Sequence, residues 1–160
     1  MSRTSSTPCG RRRPDPMGGQ QWSHGTVGAQ IIILTPAEEV LLQLRDNDPL
    51  IAFPGTWCIP GGHLEPGEEP RDCVIRELQE EMQLFMAPSD VKHLFSRQRT
   101  YGFEHTFWIR RDVDVGQIRL TEGKAVRLHS RTSLWGLTLG YEDHEVLREF
   151  FRGLDTGGLP

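Results

Sequence analysis

The stretch GGHLEPGEEPRDCVIRELQEEMQL, Gly61 to Leu84, gathers carboxylates on one short segment, three of them at Glu77, Glu80 and Glu81. Pro66-Gly67 signals a turn, and Pro70 suits the first turn of a helix, where its missing N–H is not needed. The spacing predicts a helix from about Arg71 to Met82. At about 100° per residue, Val74, Ile75, Leu78 and Met82 share one face, and the three glutamates lie on a flank about 120° from its centre. The helix is held on one side and presents an acidic ridge on another. Like charges four residues apart cost only about 0.2–0.5 kcal/mol. That penalty is too small to demand a cation, so the ridge alone reads first as a solvated acidic face.

Working outward, VGAQIIIL at Val27 to Leu34 is a short β-branched run that suits a buried strand. TPAEE turns, and Val40 to Arg45 continues as a second strand. Asp46 to Thr56, with two prolines, reads as a loop. Val91 to Thr100, His105 to Arg110 and Ala125 to Ser130 read as further strands, and Glu142 to Arg152 as a terminal helix striped by Val146, Leu147, Phe150 and Phe151. Strands outnumber helices without a regular βαβ alternation, which points to a mixed α/β domain of the α+β type.

At 160 residues the chain is long enough for one domain with its own core, and 36% hydrophobic with 25% charged residues is ordinary for a soluble protein. The first 25 residues differ, being rich in Ser, Thr, Pro, Gly and Arg and poor in aliphatics, and read as a disordered tail. Four arginines against one aspartate set that tail at +3, so of the chain's −4 the remainder carries −7. An acidic body makes a nucleic-acid polymer an unlikely partner. No apolar run approaches the roughly 18 residues of a membrane span, and no apolar segment follows Arg11 to Arg13 as a secretory signal requires. Cys9, Cys58 and Cys73 are an odd number without metal-site spacing, so a reducing, cytoplasmic setting is expected, with Cys58 and Cys73 as small core residues. The expected organisation is a tail at 1–25, a domain at 26–153 and a flexible C-terminus at 154–160.

Spacing beyond the helix sharpens the reading. Gly62 is followed after five residues by Glu68, after seven more by Arg76-Glu77, then by Leu78, Glu80-Glu81 and Leu84. This resembles the Nudix box, GX5EX7REUXEEXGU with U aliphatic. All five charged positions, Gly62 and both aliphatic positions match, and Gln83 stands where the family has glycine. WCIPGGH at Trp57 to His63 resembles the approach to the box, Glu39 to Arg45 its preceding strand, and Leu120 to Ser130 the loop and strand in which MutT-like members place a further metal-binding glutamate, here Glu122.

The resemblance implies a Nudix α/β/α sandwich, a mixed sheet between helices with the box on a loop–helix at about 61–84. It implies Glu77, Glu80, Glu81 and Glu122 as catalytic and metal-binding groups, joined by the Gly61 carbonyl, with Glu122 as ligand or general base. Mg²⁺, or Mn²⁺, would serve as cofactor, because a pyrophosphate repels attacking water until cations neutralise it. Glu68, Arg76 and Gly62 would support the ligands from behind. Arg45 is expected to hold a substrate phosphate, Asp143 to hydrogen-bond a purine, and Trp57 to stack a base, as Phe53, Tyr101, Phe103 and Trp108 also offer to do. His63, His105 and His144 have no matched catalytic partner. Gln83 is expected either to adopt a left-handed backbone at a cost of about 1 kcal/mol or to prolong the helix. The implied function is metal-assisted hydrolysis of a pyrophosphate bond in a nucleoside diphosphate-linked substrate, such as a (d)NTP. Its alternative is a non-catalytic Nudix domain that senses a nucleotide. Many members of the family dimerise, so a homodimer is compatible with the reading.

Overall fold

The computed structural model describes residues 25–160; the expected tail at 1–25, with Cys9, lies outside them except for Gly25. Seven strands form one mixed sheet: β1 (Val27–Leu34), β2 (Glu39–Leu44), β3 (Trp57–Cys58), β4 (Gly61–His63), β5 (Lys92–Gln98), β6 (Phe103–Arg110) and β7 (Ala125–Ser130). Three helices accompany them: α1 (Pro70–Met82), α2 (Arg131–Leu134) and α3 (Asp143–Thr156). β1 runs parallel to β6 along its whole length and antiparallel to β2 and β4, while β2 also pairs with β3 and β7.

The unbroken apolar run of β1 is explained by the layers. Ala29, Ile31 and Ile33 face Val74, Leu78 and Met82 of α1. Ile32 and Leu34 face Val146, Leu147, Phe150 and Phe151 of α3. A strand covered on both faces has no side to give to water, so it loses its alternation. This is the expected α/β/α sandwich.

One irregularity positions the site. β1 and β2 share only the Leu34–Val40 register, after which β1 pairs with β4 from Gln30–Gly61 to Gly28–His63. The sheet thus divides below Leu34, and residues from both of its faces can meet in the opening. β3 and β4, only two and three residues long, lie after the loop expected at Asp46 to Thr56, in a stretch not expected as strand.

At the C-terminus, residues 154–156 belong to α3, and Leu154 and Leu159 pack against the core beneath it. Gln83 is left-handed (φ 54°, ψ 32°) and ends α1, with its N–H donating to the Gln79 carbonyl and the Leu84 N–H to the Leu78 carbonyl. That hydrogen-bond pair is the helix ending that glycine favours.

Candidate active site

The divided sheet opens on a cavity of about 370 Å³. Glu77 and Glu81 of α1 line it together with Glu122, which the turn before β7 supplies. That turn is tied to α1: the Thr121 N–H donates to the Glu81 carbonyl (2.8 Å), and the Thr121 hydroxyl to the Glu80 carbonyl (2.8 Å). Gln43 of β2 closes the group, donating from Nε2 to Glu81 Oε2 (3.2 Å) and to the Glu122 backbone carbonyl (3.0 Å). Gly61 and Gly62 form the adjoining wall. A Cβ at Gly62 would stand 2.2 Å from the Glu77 carboxyl, so the box glycine is what admits Glu77 to this place.

Burial pushes the Glu81 carboxyl up to about 7, with the charge of Glu122 adding to it. Burial also raises Glu77, although Arg76 opposes the rise. These are crowded carboxylates short of positive charge. The donors are all oxygen, the set that a hard divalent cation such as Mg²⁺ prefers. Among the described residues no three His, Cys, Asp or Glu side chains converge as a ready-made metal centre. A cation at this wall would therefore need water or substrate oxygens to complete its shell, as Mg²⁺ sites usually do.

Arg76 holds the wall from behind. Its Nε and Nη2 donate to Glu68 Oε1 and Oε2 (2.7 and 2.9 Å), its Nη1 to Glu77 (2.9 Å) and Glu80 (3.1 Å), and its Nη2 to the His63 carbonyl (3.2 Å). Hydrogen bonding to Arg76 lowers Glu68 to about 2. The fork-to-carboxylate pair fixes β4 and the loop at 64–69 against α1 in a way a lysine would not.

Three expected site residues fall elsewhere. Glu80 does not line the cavity; its side chain is 60% exposed and turned to Arg76. By helical geometry Glu80 lies about 40° from Arg76 but about 100° from Glu81, so the cation of the helix captures it. Trp57 is also off the cavity, because strand alternation gives Cys58 that side. Trp57 packs instead edge-on to His129 (4.7 Å) and beside Arg127. Asp143 is 0% exposed at the start of α3, where its Oδ2 accepts the Ile59 N–H (2.8 Å). It thereby braces the wall behind Ile59 rather than facing the cavity.

Arg45 does line the cavity, its Nε donating to the Ala52 carbonyl (2.8 Å) and its guanidinium 5.2 Å from the Tyr141 ring. Of the aromatic candidates, Tyr101 and Phe103 line the cavity; Phe53 and Trp108 do not. Sequence reasoning missed Gln43, Glu104 and Tyr141. Gln43 and Tyr141 carry no spacing signal. Glu104 had one weak signal, a carboxylate near the start of a strand, FEHTFWI, whose second half is apolar.

The comparisons with known proteins agree with this geometry. The model of the NUDIX domain family matches residues 25–149, well over half of the chain. A Bacillus subtilis protein, provisionally named an 8-oxo-dGTP diphosphatase, is 31% identical over 83 residues, 52% of each chain. The chain thus spans about half the length of that relative. A MutT/nudix family protein from Enterococcus faecalis superposes with a TM-score of 0.68 at 18% identity, over 87% of this chain and 66% of that one. The NUDIX domain of Shewanella oneidensis NrtR, crystallised with ADP ribose, superposes with a TM-score of 0.67 at 16% identity, over 88% of this chain and 94% of that one. At such identities the structures speak for the fold alone. With its divided sheet, its box helix and a family match over most of its length, this chain belongs to the Nudix family.

Proposed function

We propose that the chain hydrolyses a pyrophosphate bond in a nucleotide-type substrate, with a divalent cation held by Glu77, Glu81, Glu122 and the Gly61 carbonyl. The observation that carries this reading is the meeting of α1 carboxylates with Glu122 in one cavity that also holds Arg45. When bound, such a cation polarises the phosphoryl group and lowers the pKa of the attacking water. The chain's own residues do the rest. Arg45, steadied by Ala52 and Tyr141, offers a guanidinium to the substrate phosphates. Gln43 fixes Glu81 and the Glu122 turn relative to one another, and Glu122 serves as ligand or as acceptor of the water's proton. Glu80 acts through Arg76, sharing the guanidinium that orients Glu77.

The name of the Bacillus relative, an 8-oxo-dGTP diphosphatase, supports a nucleotide-type substrate. A nucleoside triphosphate is the first substrate to try. The test is release of phosphate or pyrophosphate from canonical and oxidised (d)NTPs, ADP-ribose, dinucleoside polyphosphates and nucleotide sugars, with and without Mg²⁺ or Mn²⁺. Metal-dependent cleavage of one class is expected. Nucleotide binding without cleavage of any of them would replace hydrolysis by the sensor reading.

A further inference from the structure

The wall of the cavity formed by β6 and the turn before α3 holds a carboxyl that the hydrolytic reading does not use. Glu104 is 7% exposed and lines the cavity with Tyr101, Phe103 and Tyr141. Its two oxygens have different surroundings. Oε2 is hydrogen-bonded to the Tyr101 hydroxyl and lies 4.0 Å from Arg99 Nε. Oε1 has no hydrogen-bond partner among the described residues, yet it is not sealed from solvent in the way that Asp143 Oδ1 is. The strand pairing explains the opening: Glu104 stands beside Gly28 on β1, and a Cβ at Gly28 would lie 3.8 Å from Oε1. Because residue 28 has no side chain, that oxygen is left uncovered.

The protons fix what Oε1 can do. The Tyr101 hydroxyl contacts both Glu104 Oε2 and the Tyr141 carbonyl (2.8 Å), but it has one hydrogen to give. Both contacts are satisfied when Tyr101 donates to Tyr141 and the Glu104 carboxyl carries its proton on Oε2, donating to Tyr101. Burial, which pushes Glu104 up to about 7, favours that arrangement. Oε1 is then the carbonyl oxygen of the acid. When Glu104 is ionised, Oε1 is a carboxylate oxygen. In both states it accepts and does not donate. Its place is set by the other oxygen, which is hydrogen-bonded to Tyr101 and lies near the Arg99 guanidinium.

We propose that Glu104 is a specificity-determining residue, its Oε1 accepting a hydrogen bond from an N–H on the base of a nucleotide held in the cavity. This rests on the reading of the cavity as a nucleotide site and adds what that reading lacks, a group that reads the substrate's non-phosphate end. The rings of Tyr101, Phe103 and Tyr141, which line the same cavity, favour a planar base over a sugar hydroxyl as the donor. A site built to receive an N–H discriminates against an analogue without one, because the buried acceptor is then left unpaired.

The test is metal-free binding of nucleoside 5′-monophosphates to the whole chain by calorimetry. GMP, AMP, CMP and UMP are compared with purine riboside 5′-monophosphate, whose base has no N–H donor. Wild type is expected to bind its best nucleotide about tenfold or more tighter than the purine riboside compound. E104L is expected to lose that preference while binding purine riboside monophosphate as wild type does. E104Q is expected to keep the preference, because an amide can donate to Tyr101 and leave its carbonyl at the place of Oε1. Equal weakening of the whole panel by E104L would make the residue structural and overturn the proposal. So would an unchanged preference in E104L, or a preference lost in wild type on removing the ribose hydroxyls instead. If wild type binds no nucleotide, the reading of the cavity itself has failed; if it binds nucleotides and E104L behaves as wild type, only the role of Glu104 has.

Discussion

Glu81 and Glu104 stand on different walls of one cavity, and both carboxyls are pushed up to about 7, with burial as the largest cause. Their second causes differ. For Glu81 it is the like charge of Glu122, whereas for Glu104 it is the opposing hydrogen bond to Tyr101. One carboxyl is crowded by a like charge, and the other has the Tyr101 hydroxyl and the Arg99 guanidinium beside it. The same displacement therefore marks two chemistries, and the neighbours tell them apart. The α1 wall is suited to charge on a phosphate chain, and the β6 wall to the hydrogen-bonding edge of a ring.

The largest expected effect breaks the first wall alone. E81Q should lower turnover by about a hundredfold or more while leaving metal-free nucleotide binding in place. E80Q, altering a side chain outside the cavity, should cost clearly less than E81Q in the same steady-state assay. Equal losses would place Glu80 in the cavity during turnover and contradict its assignment to Arg76.

Removing the support behind the wall is the next test. R76A leaves Glu68, Glu77 and Glu80 without their shared guanidinium and should cost about 10–100-fold in activity, with little change in the nucleotide preference attributed to Glu104. A loss of that preference would mean that the two walls are not independent.

The Glu68–Arg76 pair gives a smaller effect with a defined pH course. Glu68 is lowered from 4.5 to about 2. A depressed carboxyl contributes stability that is whole above its ordinary value and is lost as pH falls through the folded one. The difference in melting temperature between wild type and E68Q should thus stay flat from about pH 8 to about pH 5 and shrink toward about pH 2. A difference that grows on acidification would contradict the pairing.

Much of this was legible in sequence, for physical reasons. Runs such as Val27–Leu34, and helices with a clear apolar stripe, announce themselves because burial acts on every turn of the element. The carboxylate wall was legible because one helix sets the spacing of Glu77 and Glu81 by itself. β3 and β4 were not, since two or three residues carry no period. Trp57 and Asp143 were misplaced for a different reason. Strand alternation and the exact start of α3 decide which way each side chain points, and neither is fixed by composition. Glu104 needed Gly28 beside it, 76 residues away in the chain, before its open oxygen had meaning.

Gln83 offers the mildest test, since it shows where the chain accepts strain to keep the helix ending. Its left-handed backbone costs about 1 kcal/mol more for glutamine than for glycine, partly offset by glycine's freedom in the unfolded chain. Q83G should raise stability by about 1 kcal/mol or less in chemical denaturation and leave turnover near wild type. A clear destabilisation would show that the glutamine side chain makes an interaction worth more than the strain.

The most direct test of the central claim is turnover of the best nucleotide as Mg²⁺ is titrated into protein first stripped with a chelator. The account predicts no cleavage without the ion, recovery on its return, and no recovery in E81Q at any concentration that restores wild type. Cleavage that persists in stripped wild type, or that returns fully in E81Q, would contradict it.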